Sequence, residues 1–237
     1  MSKHLKRLNA PRALRLHRKE NTWTVRASPG PHSKNKSIPL GLAVRDYLDL
    51  CDTLREAKRV ISSGEILVDG EIRKDYKYPC GFMDVITIPK MKKYYRVMYD
   101  TRGKLSLVPI QTKDAEWKLC RIENKTIVKG KRVQLNFHDG KNKIIDKDEF
   151  GTGDVLRLSF KDKKILDTYK FAKGTVSLVI GGSHVGEMAN IEDIDVIASS
   201  KPNLAKCKGK TEFSTLQKYV FPIGTKNPVI TLPEVQI

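Results

Sequence analysis

Hydrophobic and polar positions follow two different patterns along the 237 residues of the chain. In the first pattern, apolar side chains recur at positions i, i+3, i+4 and i+7, which here are Val44, Tyr47, Leu48 and Cys51. This stripe predicts an amphipathic helix. In the second pattern, which fills the chain beyond Pro89, short apolar runs lie between Gly, Asp, Asn and Lys residues, and this predicts β-strands. The sequence therefore predicts an α+β fold with most of its strands in the later part.

A second helix is predicted to begin at Thr53. Thr53 and Glu56 have the spacing of a reciprocal capping box, in which each side chain bonds the other residue's backbone amide. Gly64 fits the left-handed position that ends such a helix. A hairpin follows, with Asp69-Gly70 as its positive-φ turn. The predicted buried face of the helix consists of Leu54, Ala57 and Ile61.

The region after this hairpin predicts many short strands and no βαβ unit, which favours a small barrel or a sandwich. Beyond Ser199 the chain is basic again, and the apolar stretch 219–221 is expected to dock on the body of the protein. The predicted strands are residues 84–88, 94–99, 105–110, 117–123, 125–129, 132–137, 143–145, 155–160 and 175–180, with a return strand near 188–197.

Residues 1–37 form a segment of their own, which holds ten Lys and Arg residues against one acid, Glu20. Three prolines interrupt it, so at most a short helix around residues 11–20 is expected. Two interpretations remain open: a solvated tail, or an arm that orders against RNA phosphates. Trp23 favours the second, because an indole can anchor the arm to the protein or stack on a base.

The net charge indicates the kind of partner. Forty-five Lys and Arg residues against 27 Asp and Glu residues give +18, a surplus that a polyanion would neutralise, so nucleic acid or an acidic membrane surface is implied. No apolar run approaches the ~20 residues of a membrane span, and the basic N-terminus lacks the apolar region of a secretory signal. A membrane-surface protein remains an alternative, although prolines and few apolar anchors in residues 1–37 argue against a stable amphipathic helix there.

The sequence offers little for catalysis or metal binding. Its four cysteines are scattered without a C-x-x-C pair, which argues against a zinc ribbon or a disulfide framework and favours a reducing compartment. Stretches that begin like a dinucleotide loop, a phosphate loop and a calcium loop each lack a required residue. We therefore expect no catalytic residue, no metal, no cofactor and no small-molecule substrate. An RNA-modifying enzyme is the remaining alternative, but residues 90–237 contain no convincing catalytic cluster.

Basic residues around the two helices are predicted to lie together and to form a patch about the width of an RNA backbone. Simple solvation of the helix surface is the alternative for any single residue, but the second helix has Glu56 as its only acid. The expected members are Arg45, Arg55, Lys58 and Arg59 on one face, and Arg73, Lys74 and Lys77 on the adjoining turn.

Residues 38–88 resemble the S4-type RNA-binding domain found in ribosomal proteins, some tRNA synthetases and RNA-modifying enzymes. The segments that carry this resemblance are Thr53-x-x-Glu56-Ala57, Gly64-x-Ile66-x-Val68-Asp69-Gly70 and Gly81-x-x-Asp84. A narrower resemblance, to the archaeal and eukaryotic ribosomal protein S4e family, covers nearly the whole chain. It is carried by Arg73-x-Asp75, residues 78–86, residues 134–140 (Gln-Leu-Asn-Phe-His-Asp-Gly), Gly153-Asp154-Val155, and residues 213–215 and 219–221.

Residues 173–191 resemble a KOW motif, an element of small SH3-like barrels. Gly181, Gly182 and Gly186 would form its tight loop. Such loops often carry basic residues beside the later glycine, whereas this one has Val185 before it and Glu187 after it. Contact of the loop with RNA, packing within the protein and contact with a protein partner all remain open.

The resemblance implies an α+β, multidomain protein. Its parts would be a basic N-terminal arm (1–37), a small S4-type α/β RNA-binding domain (38–90), a central β-barrel-like domain (91–170) and a C-terminal KOW SH3-like β-barrel with a basic extension (171–237). The implied function is that of a structural constituent of the small ribosomal subunit in the cytoplasm, not an enzyme. Its implied partners are small-subunit rRNA and neighbouring small-subunit ribosomal proteins, with no membrane partner. The residues expected to bind RNA are Lys3, Lys6, Arg7, Arg12, Arg15, Arg18, Lys19, Arg26, Lys34, Lys36, Arg45, Arg55, Lys58, Arg59, Arg73, Lys74 and Lys77.

Overall fold

The computed structural model describes residues 4–209 and 211–232, and the predicted RNA-binding residue Lys3 lies outside the described residues. Within the described ranges the protein is mostly β: strands form three five-stranded antiparallel sheets and two smaller pairs, with two short helices. No helix in this part of the chain is long and apolar enough to cross a lipid bilayer.

The N-terminal arm folds against the body. Strands β1 (Leu5–Lys6) and β2 (Trp23–Thr24) pair with each other, and Leu14 and Val25 are buried. The helix predicted around residues 11–20 is wrong, because that segment forms turns. The backbone amide of Arg15, which a helix would direct to the carbonyl of Pro11, instead donates to the Tyr47 hydroxyl at 2.8 Å.

The first predicted helix is shorter than its apolar stripe. Strand β3 (Ser37–Pro39) leads into α1 (Leu40–Leu42), which widens into one π-helical turn, Ala43–Tyr47. The chain then leaves the helix at Asp49, whose φ of 48° is left-handed, so Cys51 lies beyond the helix.

The second predicted helix is confirmed. Helix α2 (Leu54–Ser62) has both halves of the capping box at its N-terminus, and it buries Ala57 and Ile61. Gly64 follows with a φ of 81°, as expected for the residue that ends a helix.

The first sheet follows α2 in the chain. Its strands are β4 (Leu67–Val68), β5 (Glu71–Ile72), β7 (Val85–Ile88), β8 (Lys93–Tyr99) and β9 (Leu105–Pro109), in the spatial order β5-β4-β7-β8-β9, while β6 (Pro79–Gly81) pairs with β3. The predicted Asp69-Gly70 turn is present, with positive φ at both residues. The predicted domain boundary at residue 90 falls between β7 and β8 of this one sheet.

The second sheet is built around a long central strand. Its strands are β10 (Trp117–Val128), β11 (Arg132–Phe137), β12 (Asn142–Ile145), β13 (Val155–Ser159) and β14 (Ile165–Tyr169), in the order β12-β11-β10-β13-β14. The two strands predicted at 117–123 and 125–129 are one strand, whose pairing register shifts between Ile122 and Asn124. The bulge turns the strand so that it pairs with β13 on one side and extends into the β11 hairpin on the other.

The third sheet contains the last strands of the chain. They are β15 (Val176–Val179), β16 (Met188–Asp195), β17 (Leu204–Lys208), β18 (Glu212–Leu216) and β19 (Val220–Gly224), in the order β18-β17-β16-β15-β19. The predicted docking of residues 219–221 is confirmed, because Phe221 is fully buried and its ring lies edge-on to Phe82 at 5.0 Å.

Candidate nucleic-acid interface

Helix α2 and the loop after β5 form one exposed basic surface. Arg55, Lys58 and Arg59 project to solvent on the side of α2 opposite Ala57 and Ile61. The Nζ atom of Lys58 lies 4.4 Å from the centre of the Tyr76 ring, and that of Lys77 lies 5.5 Å from the same ring. Tyr76 therefore joins the helix face to the loop, as two cations from separate elements share one aromatic ring.

The loop contributes further cations beside this ring. The guanidinium of Arg73 lies 4.7 Å from the centre of the Tyr78 ring and pairs with Glu71, while Lys74 is exposed. Burial, with a smaller effect from Asp84, raises the pKa of Tyr78 to about 12, so this phenol stays uncharged. We call the surface the basic patch; its members are Arg55, Lys58, Arg59, Arg73, Lys74 and Lys77.

The acids near the basic patch are already engaged. Glu56 accepts hydrogen bonds from the amides of Asp52 and Thr53 at the start of α2, and hydrogen bonding to Thr53 lowers its pKa. Glu71 bonds Arg73. The patch therefore presents more positive than negative charge to solvent.

Arg45 does not join the exposed cations of α2. Its guanidinium pairs with the carboxylate of Asp46, which raises the pKa of Arg45. Both residues line a shallow groove of about 580 Å³ between the arm and the π-helical turn, together with Trp23. Six members of the predicted patch therefore lie on α2 and the loop after β5, where Lys58 and Lys77 meet at Tyr76, whereas Arg45 lines the groove beside the arm.

Two arginines of the arm serve the fold. Arg7 is buried, donates from Nη1 to the carbonyl of His17 at 2.9 Å, and lies within 4 Å of the carboxylates of Glu20 and Asp46. Arg18 donates to four backbone carbonyl groups, and the shortest of these bonds is 2.7 Å to Ala10. These two guanidinium groups stabilise the conformation of the arm. They are therefore not among the cations that the arm presents to solvent.

The remaining arm residues differ in exposure. Arg26 is half-buried. The exposed cations among the predicted arm residues are Lys6, Arg12, Arg15, Lys19, Lys34 and Lys36.

A buried ionic cluster connects the arm, the first sheet and the second sheet. The Nζ atom of Lys118 on β10 lies 2.5 Å from Asp69, 3.0 Å from Asp84 and 2.6 Å from Asp139, and its side chain is only 2% exposed. Lys141 adds a second ammonium group 3.0 Å from Asp69. No sequence signal distinguishes Lys118 from the other lysines, because the carboxylates that surround its ammonium group come from residues distant in the chain.

The arm enters this cluster through His32. Its Nε2 atom lies 2.9 Å from the Asp84 carboxylate, and its ring lies against Gly81, where an added Cβ would come within 2.2 Å. Burial acts to raise the pKa of Asp84, but the charges of Lys118 and His32 outweigh it and lower that pKa. The pKa of Asp139 is lowered in the same way by Lys118, against the effect of burial.

The concentration of carboxylates in this cluster does not make a reaction centre. Asp69, Asp84 and Asp139 are all buried, and Lys118 already occupies the space between them. In residues 4–209 and 211–232, no group of three or more His, Cys, Asp or Glu side chains is arranged to hold a metal ion.

Two further contacts attach the third sheet. Arg121 on β10 donates to the carbonyl groups of Lys218 and Val220 at 2.8 and 3.2 Å. Gly186, in the loop of the KOW-like segment, lies against the turn between β8 and β9, where an added Cβ would come within 2.6 Å of the Asp100 carbonyl oxygen. The residues of this loop around Gly186 thus pack within the protein.

Comparison with known proteins agrees with the positions of these elements. Residues 1–35 match the RS4NT domain, residues 47–86 match the S4 domain, and residues 91–165 match Ribosomal family S4e. The S4 match contains α2 and the whole basic patch.

Relatives extend the similarity to almost the full chain. The small ribosomal subunit protein eS4 of Methanothermobacter thermautotrophicus is 50% identical over 98% of this chain and 96% of its own length. The protein of the same name from Archaeoglobus fulgidus is 46% identical over 97% of each chain. The crystal structure of the 30S ribosomal protein S4e from Thermoplasma acidophilum has a TM-score of 0.71 and 37% identity, over 81% of this chain and 97% of that one. The chain belongs to the ribosomal S4e family.

Proposed function

We propose that this protein is a structural constituent of the small ribosomal subunit, in the cytoplasm, and that it binds rRNA through the basic patch and the exposed cations of its arm. One observation carries the proposal: cations from α2 and from the following loop converge at Tyr76 on the surface. A basic surface built from two elements, whose nearby acids are already bonded, suits the phosphate backbone of a folded RNA.

The relatives support the same partner. The archaeal proteins that share half or nearly half of this sequence are named as small ribosomal subunit proteins, and the S4 domain match coincides with the basic patch. Neighbouring ribosomal proteins of the small subunit are the second class of partner.

The proposed mechanism is electrostatic anchoring without turnover. Lys and Arg side chains displace counterions from rRNA phosphates, and the folded sheets hold adjoining RNA elements in a fixed relation, which supports subunit assembly and translation. The net charge of +18 is enough for roughly six to ten phosphate contacts.

We also propose a finer architecture for these parts. The arm would be residues 1–37, the S4-type domain 38–90, a central barrel-like domain 91–170, and a KOW SH3-like barrel with its extension 171–237. The matched ranges 1–35, 47–86 and 91–165 support the first three divisions. Strands β8 and β9 of the third part complete the first sheet, so the S4-type domain and the central part are packed as one body at this boundary. The tight pairing of β15 with both β16 and β19 supports the fourth.

A salt series tests the role of the basic patch. The full chain is bound to small-subunit rRNA at several salt concentrations, and the slope of log K against log salt counts the phosphates contacted. We expect the triple variant Arg55→Ala/Lys58→Ala/Arg59→Ala to lower that slope by about 2 to 3, because each removed contact releases about one counterion fewer.

The matched control removes the same charge elsewhere. Lys113, Lys201 and Lys226 are exposed and lie outside the basic patch. Their triple alanine variant should keep the slope of the parent protein. Equal slopes for the two triple variants would show that the patch has no special part in binding.

A further inference from the structure

The second sheet has a polar outer face that the proposed function does not use. On β10, β11 and β12, one face packs Val133, Leu135 and Phe137 into the core of the sheet. The opposite face carries amides and a hydroxyl. We call it the amide face; its residues are Asn124, Thr126, Gln134, Asn136 and Asn142.

The strand register places these side chains in two rows. Asn136 pairs with Asn124 on one side and with Asn142 on the other, so three asparagines lie across the three strands. Gln134 pairs with Thr126 and with Ile144 in the next row. Directly paired residues share one face of a sheet, which makes the rows continuous.

Hydrogen bonds fix the middle of the amide face. Gln134 donates from Nε2 to Oδ1 of Asn136 at 2.8 Å, and Asn136 donates from Nδ2 to the Thr126 hydroxyl at 3.0 Å. The outer amides of Asn124 and Asn142 are exposed and make no side-chain hydrogen bond within the described residues. The amide face thus has a fixed centre, and at its two edges it presents side-chain donors and acceptors that no group in the described part of the chain uses.

The charges around the amide face are positive at one end. Three exposed cations lie at this end of the hairpin, Lys129 and Lys131 in the turn between β10 and β11 and Arg132 at the start of β11, and we call them the basic tip. Of the acids nearby, Glu123 bonds Arg121 and Asp148 bonds Lys125, whereas Asp146, which directly follows β12, is exposed and makes no ion pair within the described residues. The amide face itself has no carboxylate.

We propose that the amide face binds the minor groove of an A-form RNA helix, with the basic tip on the adjacent phosphates. This inference rests on the proposed function and adds a second RNA-binding surface, remote in sequence from the S4-type domain. The minor groove of A-form RNA is wide and shallow and displays 2′-hydroxyl groups and base edges. Side-chain amides both donate and accept, so they can bond a 2′-hydroxyl in either role.

The composition of the surface argues for RNA over a protein partner. Cores of protein interfaces are rich in aromatic and apolar side chains. Ile144 is an exposed apolar residue on the amide face, and Ile127, next to Thr126 on β10, is also exposed, but the face has no aromatic residue. Neutral amides beside unpaired cations instead match a ligand with hydroxyl groups flanked by phosphates.

A ligand on the amide face also accounts for residues of the 134–140 motif that have no role in the core. In residues 134–140, Leu135 and Phe137 fill the core, and Asp139 bonds Lys118. Gln134 and Asn136 contribute nothing to that core, because they point to the opposite face. A ligand on the amide face gives these two residues a function.

The test compares two duplexes with the full chain. An RNA duplex and the DNA duplex of the same sequence are titrated with the parent protein and with Asn124→Ala/Asn136→Ala/Asn142→Ala. We expect the variant to bind the RNA duplex about tenfold more weakly, because two or three hydrogen bonds are lost. The salt slope should not change, since neutral groups release no counterions. Binding to DNA, which lacks the 2′-hydroxyl, should be the same for both proteins.

Two further variants sharpen the result. Lys129→Ala/Lys131→Ala should lower the salt slope on the RNA duplex by about 2. Asn136→Asp/Asn142→Asp keeps the shape of the face but adds negative charge, so it should weaken RNA binding further at low salt. Gln111→Ala/Asn227→Ala removes two exposed amides elsewhere and is the matched control. Circular dichroism of each variant reports whether the sheets are intact.

Three outcomes would overturn the proposal: unchanged RNA-duplex affinity in the triple alanine variant, an equal loss for RNA and DNA, or a loss that the control variant shares. If the triple alanine variant keeps its RNA-duplex affinity but no longer sediments with small subunits on a sucrose gradient, the amide face belongs to a neighbouring protein. A parent protein that binds rRNA with a flat salt slope would instead refute the proposed function, which separates the two failures.

Discussion

Lys118 has three carboxylates within 3.0 Å of its ammonium group and only 2% of its side chain exposed. A charge so deeply buried is tolerated only when it is paired and hydrogen-bonded. Burial acts to lower the pKa of Lys118, but Asp84 and Asp69 outweigh it and raise that pKa well above its usual value, so the lysine stays charged. The sequence could not identify this role, because Asp69 and Lys118 lie 49 positions apart and each looks like an ordinary turn or strand residue.

We expect Lys118→Met to destabilise the protein by about 3 to 5 kcal/mol, because a chain of similar length would leave three buried carboxylates without their main partner. Urea denaturation measures the free energy of unfolding. Lys161→Met is the control: it breaks an exposed pair with Glu116 and should cost less than about 1 kcal/mol. Similar losses for the two variants would contradict the structural role assigned to Lys118.

His138 gives a pH dependence whose sign follows from its hydrogen bonds. The amide of Arg121 donates to Nδ1 of His138 at 3.2 Å, and Nε2 lies 3.3 Å from the carbonyl oxygen of Phe82. This arrangement fits a neutral ring with its proton on Nε2, since a protonated Nδ1 would face a donor. Burial lowers the pKa of His138 from 6.5 to about 4, against the charge of Asp139, which acts to raise it, and with a smaller lowering effect from Lys118.

Because the pKa of His138 is lower in the folded state than in the unfolded state, protonation of this histidine favours unfolding. Its contribution to stability is fully present above pH 6.5, the pKa in the unfolded state, and is lost as the pH falls. We therefore expect the free energy of unfolding to fall as the pH decreases from about 6.5 to 4, by up to about 3 kcal/mol from His138. Denaturation at several pH values measures it, and His138→Gln should flatten this part of the curve. An unchanged slope in that variant would contradict the assignment. Asp84 and Asp139, whose pKa values are lowered, add a separate loss of stability below about pH 4.

Among the helices and strands, the sequence predicted correctly those features that depend on residues close together in the chain. The capping box of α2 and the Asp69-Gly70 turn depend on residues a few positions apart, and both are present. The sequence does not predict that the first helix ends before Cys51, because no glycine or proline marks the position of Asp49, where the backbone becomes left-handed. Strand β17 was missed since its lysines resemble a solvated tail, yet Ala205 and Cys207 alternate with them into the core.

The arm packs on β6 through the contact between His32 and Gly81, and one added methyl group should disrupt this contact. Because an added Cβ at Gly81 would overlap the His32 ring, Gly81→Ala should displace the arm while the sheets remain folded. We expect faster proteolysis within residues 1–37 than in the parent protein, measured by mass spectrometry of the fragments. His32→Ala should act in the same direction, whereas Lys34→Ala, an exposed neighbour, should have no effect. A Gly81→Ala arm as resistant as that of the parent would show that His32 does not hold it.

At the scale of the whole molecule, the net charge and the family resemblance indicated an RNA-binding protein, but not which cations face solvent. Arg7 and Arg18 look like any other basic arm residue in the sequence, and only the fold shows that they bond carbonyl groups within the arm. Lys58 and Lys77 are likewise 19 positions apart, and Tyr76 brings them together. Contacts between distant segments decide these differences, so charge counting alone could not separate structural from exposed cations.

Sedimentation of the full chain with small ribosomal subunits measures whether the protein binds rRNA through its exposed cations. The protein is added to cell lysate and run on sucrose gradients at low and at high salt. We expect it to sediment with small subunits at low salt and to be released progressively as salt screens the phosphate contacts. A polypeptide that sediments alone at the lowest salt concentration would contradict the account.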